Sequence, residues 1–304
     1  MPLALGDGRT LAWSEGGDPA GTPVLFFHGC PDTRRAAWTG HDAAHAAGVR
    51  LIAANRPGYG ASTPASPSYE LVVGDVAELA DSLGLDRFAV IGMSVGGTFA
   101  LACAARLPYR VTTAALVATP GETSRMDPPY PRDGLDAEGR VFYDALATGT
   151  PAENLARLRP EFLAWRSMID PEDTDDIALA ERWLGSLPPR DRAFAEGPVA
   201  EVAAAAREAI LVPDGYLSDA ALVFGRWPFR VEDVGCPVTL WYGERDANAP
   251  PRNGAWLAEH LPDATLNLLP GLGHLESLMR SWETILRAVA GHPRARQARS
   301  PAAP

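Results

Sequence analysis

The run Gly92-Met93-Ser94-Val95-Gly96 sets a hydroxyl at G-x-S-x-G spacing. Small residues two places on either side of a serine let the chain fold back sharply. The serine backbone is then strained and its hydroxyl stands clear. A hydroxyl is a weak nucleophile until a neighbouring base takes its proton. The histidines that could be that base are His28, His41, His45, His260, His274 and His292. His274 closes the turn Leu269-Pro270-Gly271-Leu272-Gly273-His274, directly behind an apolar run. His41 and His45 lie four apart on a helical stretch and read as a half-exposed face. His260 falls near a helix C-terminus, where the helix dipole favours a cation. His292 lies in a polar tail. An imidazole base also needs a carboxylate to fix its tautomer and orientation. Trp241-Tyr242-Gly243-Glu244-Arg245-Asp246 runs from a strand into a loop and offers Asp246, with Glu244 and Glu122 as alternates. Ser94, Asp246 and His274 together would perform nucleophilic acyl transfer.

The elements around these residues are legible from periodicity. Short apolar runs bounded by turn residues predict buried strands over 23–28, 49–54, 87–91, 111–117, 237–242 and 265–269. Helical spacing predicts helices over 35–47, 69–83, 95–106, 251–260 and 281–290. Ser94 therefore sits between a strand and a helix, the setting that gives its motif meaning. Alternating strands and helices imply a mostly parallel sheet with right-handed crossovers. Asp246 and His274 then fall at the carboxyl edge of that sheet, where open α/β sheets hold ligands. From 122 to 235 the rhythm breaks into helical patterns, over 135–146, 152–168, 177–184 and 199–210. The expectation is an α/β core over 1–121 and 236–292, a helical insertion over 122–235 and a frayed tail over 293–304.

Composition narrows the chemistry. The chain has 304 residues, 46% hydrophobic and 21% charged, which fits a globular protein and excludes a collagen or a coiled coil. Its net charge of −11 argues against nucleic-acid binding. All its basic side chains are arginine, so Schiff-base and P-loop lysine chemistry are excluded. Cys30, Cys103 and Cys236 are too few and too scattered for a disulfide scaffold or a cysteine zinc site, which points to a reducing compartment, the cytoplasm. The N-terminus carries no basic and apolar leader pattern, and the uncharged run 88–105 is broken by Gly92, Ser94, Gly96 and Gly97. No membrane partner is expected. The acidic stretch 170–176 reads as a solvated helix start rather than a metal site. No metal or organic cofactor is expected.

Phe26-Phe27-His28-Gly29-Cys30-Pro31, Arg56-Pro57-Gly58-Tyr59-Gly60, Gly92 to Gly97, Gly243 to Asp246 with Pro250, and Gly271 to His274 give the chain its resemblance to a known family. It resembles an α/β-hydrolase of the capped, peptidase- and epoxide-hydrolase-like sort, from about residue 10 to 290 apart from the insertion. The order Ser94, Asp246, His274 agrees. The resemblance implies a helical cap over 122–235 closing above Ser94. It also implies an oxyanion hole built from the backbone N–H groups of Cys30 and Val95, with His28 and Gly29 as supporting residues and Pro31 in a cis peptide. Cap aromatics such as Phe142, Phe162, Trp165 and Tyr216 are candidates for an apolar pocket. Ser94 departs from the aspartate nucleophile of haloalkane dehalogenases and epoxide hydrolases. His28-Gly29-Cys30-Pro31-Asp32 and Val95 depart from the H-G-G-P-G and G-x-S-W-G of proline iminopeptidases.

The expected activity is hydrolysis of an ester, lactone or thioester of a small, mainly apolar molecule through an acyl-enzyme on Ser94. The alternatives are amide or C–C hydrolysis, cyclisation, elimination or perhydrolysis on the same scaffold, or a ligand-binding protein without turnover. A homo-oligomer is compatible with any of these.

Overall fold

The computed structural model describes residues 1–126, 130 and 132–291. His292 and the expected tail 293–304 lie outside the described residues.

The apolar runs form strands because both faces of the sheet are covered, except that the last, expected as a buried strand over 265–269, lies at the sheet's edge with Leu268 exposed and its other residues at most half-buried. They are Thr22–Phe27 (β3), Val49–Ala54 (β4), Phe88–Met93 (β5), Val111–Val117 (β6), Val238–Gly243 (β7) and Ala264–Leu269 (β8). Pro2–Ala4 (β1) and Thr10–Gly17 (β2) complete an eight-stranded sheet of order β1-β2-β4-β3-β5-β6-β7-β8. β1 and β4 pair antiparallel with β2, and the other pairings are parallel. Val24 pairs with Leu51, and Leu25 with Val90, so β3 lies between β4 and β5.

Alternate strand residues face opposite sides. Leu25 and Phe27 join a cluster with Tyr69–Ser82 (α2) and Val95–Arg106 (α3). Val24 and Phe26 join another with His41–Ala46 (α1) and Trp282–Gly291 (α12). The helix expected over 35–47 is divided: a 3₁₀ turn, Arg34–Gly40, capped by the Thr33 hydroxyl, runs into α1. Pro251–His260 (α10) and His274–Met279 (α11) flank β8.

Between β6 and β7 the chain passes through Ala137–Thr148 (α4), Pro151–Ile169 (α5), Asp176–Ser186 (α6), Pro189–Ala195 (α7), Val199–Ile210 (α8) and Asp214–Val223 (α9). These helices bury Leu146, Phe162, Leu179, Ile210 and Leu217 in a cluster of their own. The ends of the insertion do not. Met126, Leu222, Trp227, Phe229 and Val234 pack into the sheet's cluster, so both roots are anchored in the core.

Candidate active site

Ser94 follows β5 and occupies the N-cap position of α3, with φ 53° and ψ −127°. That backbone is strained for an L-residue, and the surrounding fold over-determines it. The Ser94 N–H donates to the Val117 carbonyl at 2.8 Å, and the hydroxyl makes no cap bond to α3. Close approach explains the flanking glycines. A Cβ on Gly92 would collide with the Gly97 backbone, and one on Gly96 with the carbonyl oxygens of Phe27 and His28.

His274 follows β8 as the first residue of α11. Its Nε2 lies 3.0 Å from Ser94 Oγ and its Nδ1 2.7 Å from Asp246 Oδ2. Asp246 follows β7 and is 2% exposed. Its other oxygen accepts the N–H groups of Asn248 at 2.8 Å and Ala249 at 2.9 Å. The carboxylate is thereby held in one orientation, and it selects the tautomer with the proton on Nδ1. Nε2 is then left to accept from the Ser94 hydroxyl. Burial alone would pull the imidazole pKa down; the hydrogen bond and charge of Asp246, joined by the charge of Asp191, hold it above its ordinary value of 6.5. The three side chains named from the sequence thus meet at one edge of the sheet.

The alternates lie elsewhere. Glu244 accepts the Gly271 N–H at 3.3 Å. Glu122 accepts from Trp227 N at 3.2 Å and from the Ser124 hydroxyl at 3.1 Å, at the root of the insertion. His41 accepts the Gly17 N–H at 3.1 Å, and His260 stacks on Trp256 with ring centroids 4.3 Å apart.

The loop after β3 comes alongside Ser94. A Cβ built on Gly29 would lie 3.7 Å from Ser94 Cβ, and the Cys30–Pro31 peptide is cis. His28 is buried and meets the Tyr59 ring edge-on, with centroids 4.8 Å apart. Burial, then the Arg56 charge, pushes its pKa well down, so the ring stays neutral. The Cys30 thiol is pushed up by burial and by the Asp219 charge, which disfavours a thiolate.

A buried ion pair holds this loop. Arg56 Nη1 donates to the His28 carbonyl at 2.8 Å and Nη2 to the Gly29 carbonyl at 3.1 Å. The same guanidinium grips Asp219 on α9, with Nη2 2.6 Å from Oδ2. The Tyr59 hydroxyl donates to that oxygen at 2.7 Å. In the sequence Arg56 figures only within the resemblance segment Arg56-Pro57-Gly58-Tyr59-Gly60, and Asp219 is not singled out. The available signal was a charge directly ahead of the apolar run Ala220-Ala221-Leu222-Val223, since a carboxylate buried in a helix needs a partner.

The sequence matches the family model for the alpha/beta hydrolase fold over residues 22–278. The chain belongs to the α/β-hydrolase family.

Among the relatives of this α/β-hydrolase is a pimeloyl-[acyl-carrier protein] methyl ester esterase from Chromobacterium violaceum. It is 33% identical over 244 residues, covering 78% of this chain and 80% of the relative. An esterase of the same name from Nitrosomonas europaea is 27% identical over 255 residues, covering 84% and 89%. The solved enol-lactonase from Burkholderia xenovorans LB400 superposes with a TM-score of 0.64 at 19% identity, covering 96% of this chain and 98% of that one.

Two cavities of this α/β-hydrolase adjoin Pro31. One, of about 710 Å³, is walled by Phe142, Tyr143, Leu158, Phe162, Trp165 and Tyr216. The other, of about 760 Å³, lies between Trp183 and Phe194 of the insertion and Leu275 and Leu278 of α11. Among the described residues no group of three or more His, Cys, Asp or Glu side chains is placed to hold a metal ion, and no helix is long and apolar enough to cross a membrane.

Proposed function

We propose that this α/β-hydrolase is a serine hydrolase that cleaves an ester, lactone or thioester of a small, mainly apolar molecule. The observation that carries the proposal is the unbroken hydrogen-bonded line from Ser94 Oγ through His274 to Asp246, with bonds of 3.0 and 2.7 Å, built on a serine at positive φ. His274 Nε2 takes the Ser94 proton as Oγ attacks the substrate carbonyl. The new oxyanion accepts from the backbone N–H groups of Cys30 and Val95; Gly29, Pro31 and the Arg56 clamp hold the loop of Cys30, and the N-terminus of α3 holds Val95. His274 returns the proton to the leaving oxygen or sulfur as its bond to carbon breaks. A water, deprotonated by His274, then attacks the acyl-serine, and His274 gives that proton to Ser94 Oγ as its bond to the acyl carbon breaks and the acid is released.

The substrate class rests on the esterase and lactonase names among the similar proteins and on the cavities beside Pro31, whose walls are mainly aromatic and aliphatic but also carry charged residues such as Arg132 and Glu161 in one and Arg35 and Glu201 in the other. The helices over 122–235 act as the cap that closes above Ser94 and keeps out bulk solvent while admitting the single water that His274 activates. The small number and wide scatter of the cysteines support a reducing compartment, the cytoplasm.

A fluorophosphonate probe tests the proposal. The wild type is labelled at Ser94 and Ser94→Ala is not. A wild type that resists the probe and leaves aryl esters intact would remove the hydrolase reading.

A further inference from the structure

Asp191 is a buried carboxylate, 7% exposed, that the mechanism above does not use. It stands on α7, in the insertion, far from β8 in sequence. Its Oδ1 accepts the backbone N–H of Leu275 at 3.0 Å, the peptide directly after His274. The neighbouring Arg190 grips the same segment from outside, donating through Nη1 to the Gly271 carbonyl at 3.0 Å and to Glu276 Oε2 at 3.1 Å. Glu276 in turn accepts the Gly273 N–H at 2.8 Å. Gly273 precedes α11 and has no side chain to hold a first-turn N–H of that helix. Asp191 supplies the missing acceptor from another part of the chain.

We infer that Asp191 is a positioning residue for the reaction, acting through His274. This rests on the reading of His274 as the base. One carboxylate oxygen fixes the peptide that sets where the imidazole ring stands. The charge favours the imidazolium that forms when Ser94 gives up its proton, adding to the charge of Asp246. The insertion therefore holds the histidine in register as well as covering the site.

The charged groups that bear on His274 come from separate elements. Asp246 after β7 and Asp191 on α7 favour its protonated form, and Arg132, ahead of α4, opposes it. Glu276 lies on its own helix and is paired with Arg190.

Two substitutions separate geometry from charge. Asp191→Asn keeps an oxygen for Leu275 N–H and removes the charge. Asp191→Ala removes both. The expected result for Asp191→Asn is an acidic limb of kcat/KM displaced to lower pH, with kcat at the plateau lowered only a few fold. For Asp191→Ala the limb moves the same way and kcat falls by about tenfold to a hundredfold, with KM little changed, because small misplacement of a base is costly. The inference is overturned if Asp191→Asn leaves the limb where the wild type has it, and equally if Asp191→Ala folds and keeps wild-type kcat. Should Asp191→Ala fail to fold, the Asp191→Asn profile still decides. Ser94→Ala runs in parallel. Turnover surviving that substitution brings down the reading of the site itself, whereas its loss beside an unchanged Asp191→Asn brings down only this inference.

Discussion

His274 Nε2 lies 3.0 Å from Ser94 Oγ, although 180 residues separate the two in the chain. On the proposed mechanism, removing either partner removes nucleophile activation. Ser94→Ala and His274→Ala each lower kcat for an activated aryl ester by about 10⁵- to 10⁶-fold, and Asp246→Asn by about 10⁴-fold. The double variant Ser94→Ala/His274→Ala is little worse than either single one, because the residues act as a unit. Circular dichroism and Tm confirm the fold. Near-normal turnover in His274→Ala would exclude it as the base.

The imidazole must be neutral to accept the serine proton. Burial lowers its pKa, but Asp246 and Asp191 raise it overall above 6.5. Activity therefore climbs with pH through a limb lying above the ordinary histidine value and is lost as the pH falls below it. The pH profile of kcat/KM reads this directly, since it reports the free enzyme. A limb at or below 6.5 would contradict the assigned surroundings.

Asp219 and Arg56 are both buried, with side chains 4% and 3% exposed. Asp219→Ala strands the guanidinium in the interior and costs about 3–5 kcal/mol of stability. Arg56→Met together with Asp219→Leu recovers much of that loss in urea unfolding, because no unpaired charge remains. The double variant still loses activity, since the His28 and Gly29 carbonyls have lost their donor. A double variant with full activity would show that the clamp serves stability alone.

The part assigned to Cys30 belongs to its backbone. Cys30→Ala accordingly keeps kcat/KM within roughly tenfold of wild type, far from the loss of about 10²–10³ that follows removal of an oxyanion-hole donor. The native thiol resists iodoacetamide at pH 8, because burial and the Asp219 charge disfavour the thiolate. Fast alkylation together with loss of activity would point to a role for the sulfur.

Much of this architecture can be read directly from residue order. The strands at Val49–Ala54 and Val111–Val117 and the helices at Val95–Arg106, Val199–Ile210 and Pro251–His260 carry strong apolar runs or periodicity, and the structure places them at the expected residues. Helix α7 escaped because Pro189-Arg190-Asp191-Arg192 shows no apolar face. Its stability comes from contacts with α11 that only the folded chain brings together. Helix α9 escaped because Pro213 and Gly215 look like a turn. Ser94, Asp246 and His274 were legible because each follows a recognisable strand. Arg56, Asp219 and Asp191 were not, because each depends on a partner distant in sequence. A local pattern cannot encode such a pairing.

Strands β6 and β7 are hydrogen-bonded neighbours, with Leu116 opposite Leu240, yet the whole insertion is strung between them. Because the two strands run parallel, the chain leaves β6 at the carboxyl end of the sheet and must recross to enter β7 at its amino end, and the returning segment packs Trp227, Phe229 and Val234 into the core on the way. The helices of the insertion are thus a long excursion within one crossover, free to change in length or number only where they spare the core-packed roots and the Asp219 partner of Arg56. Selection can rewrite what this scaffold accepts through the remaining helices, provided each replacement still offers one carboxylate to the Arg56 guanidinium and another to the peptide behind the histidine.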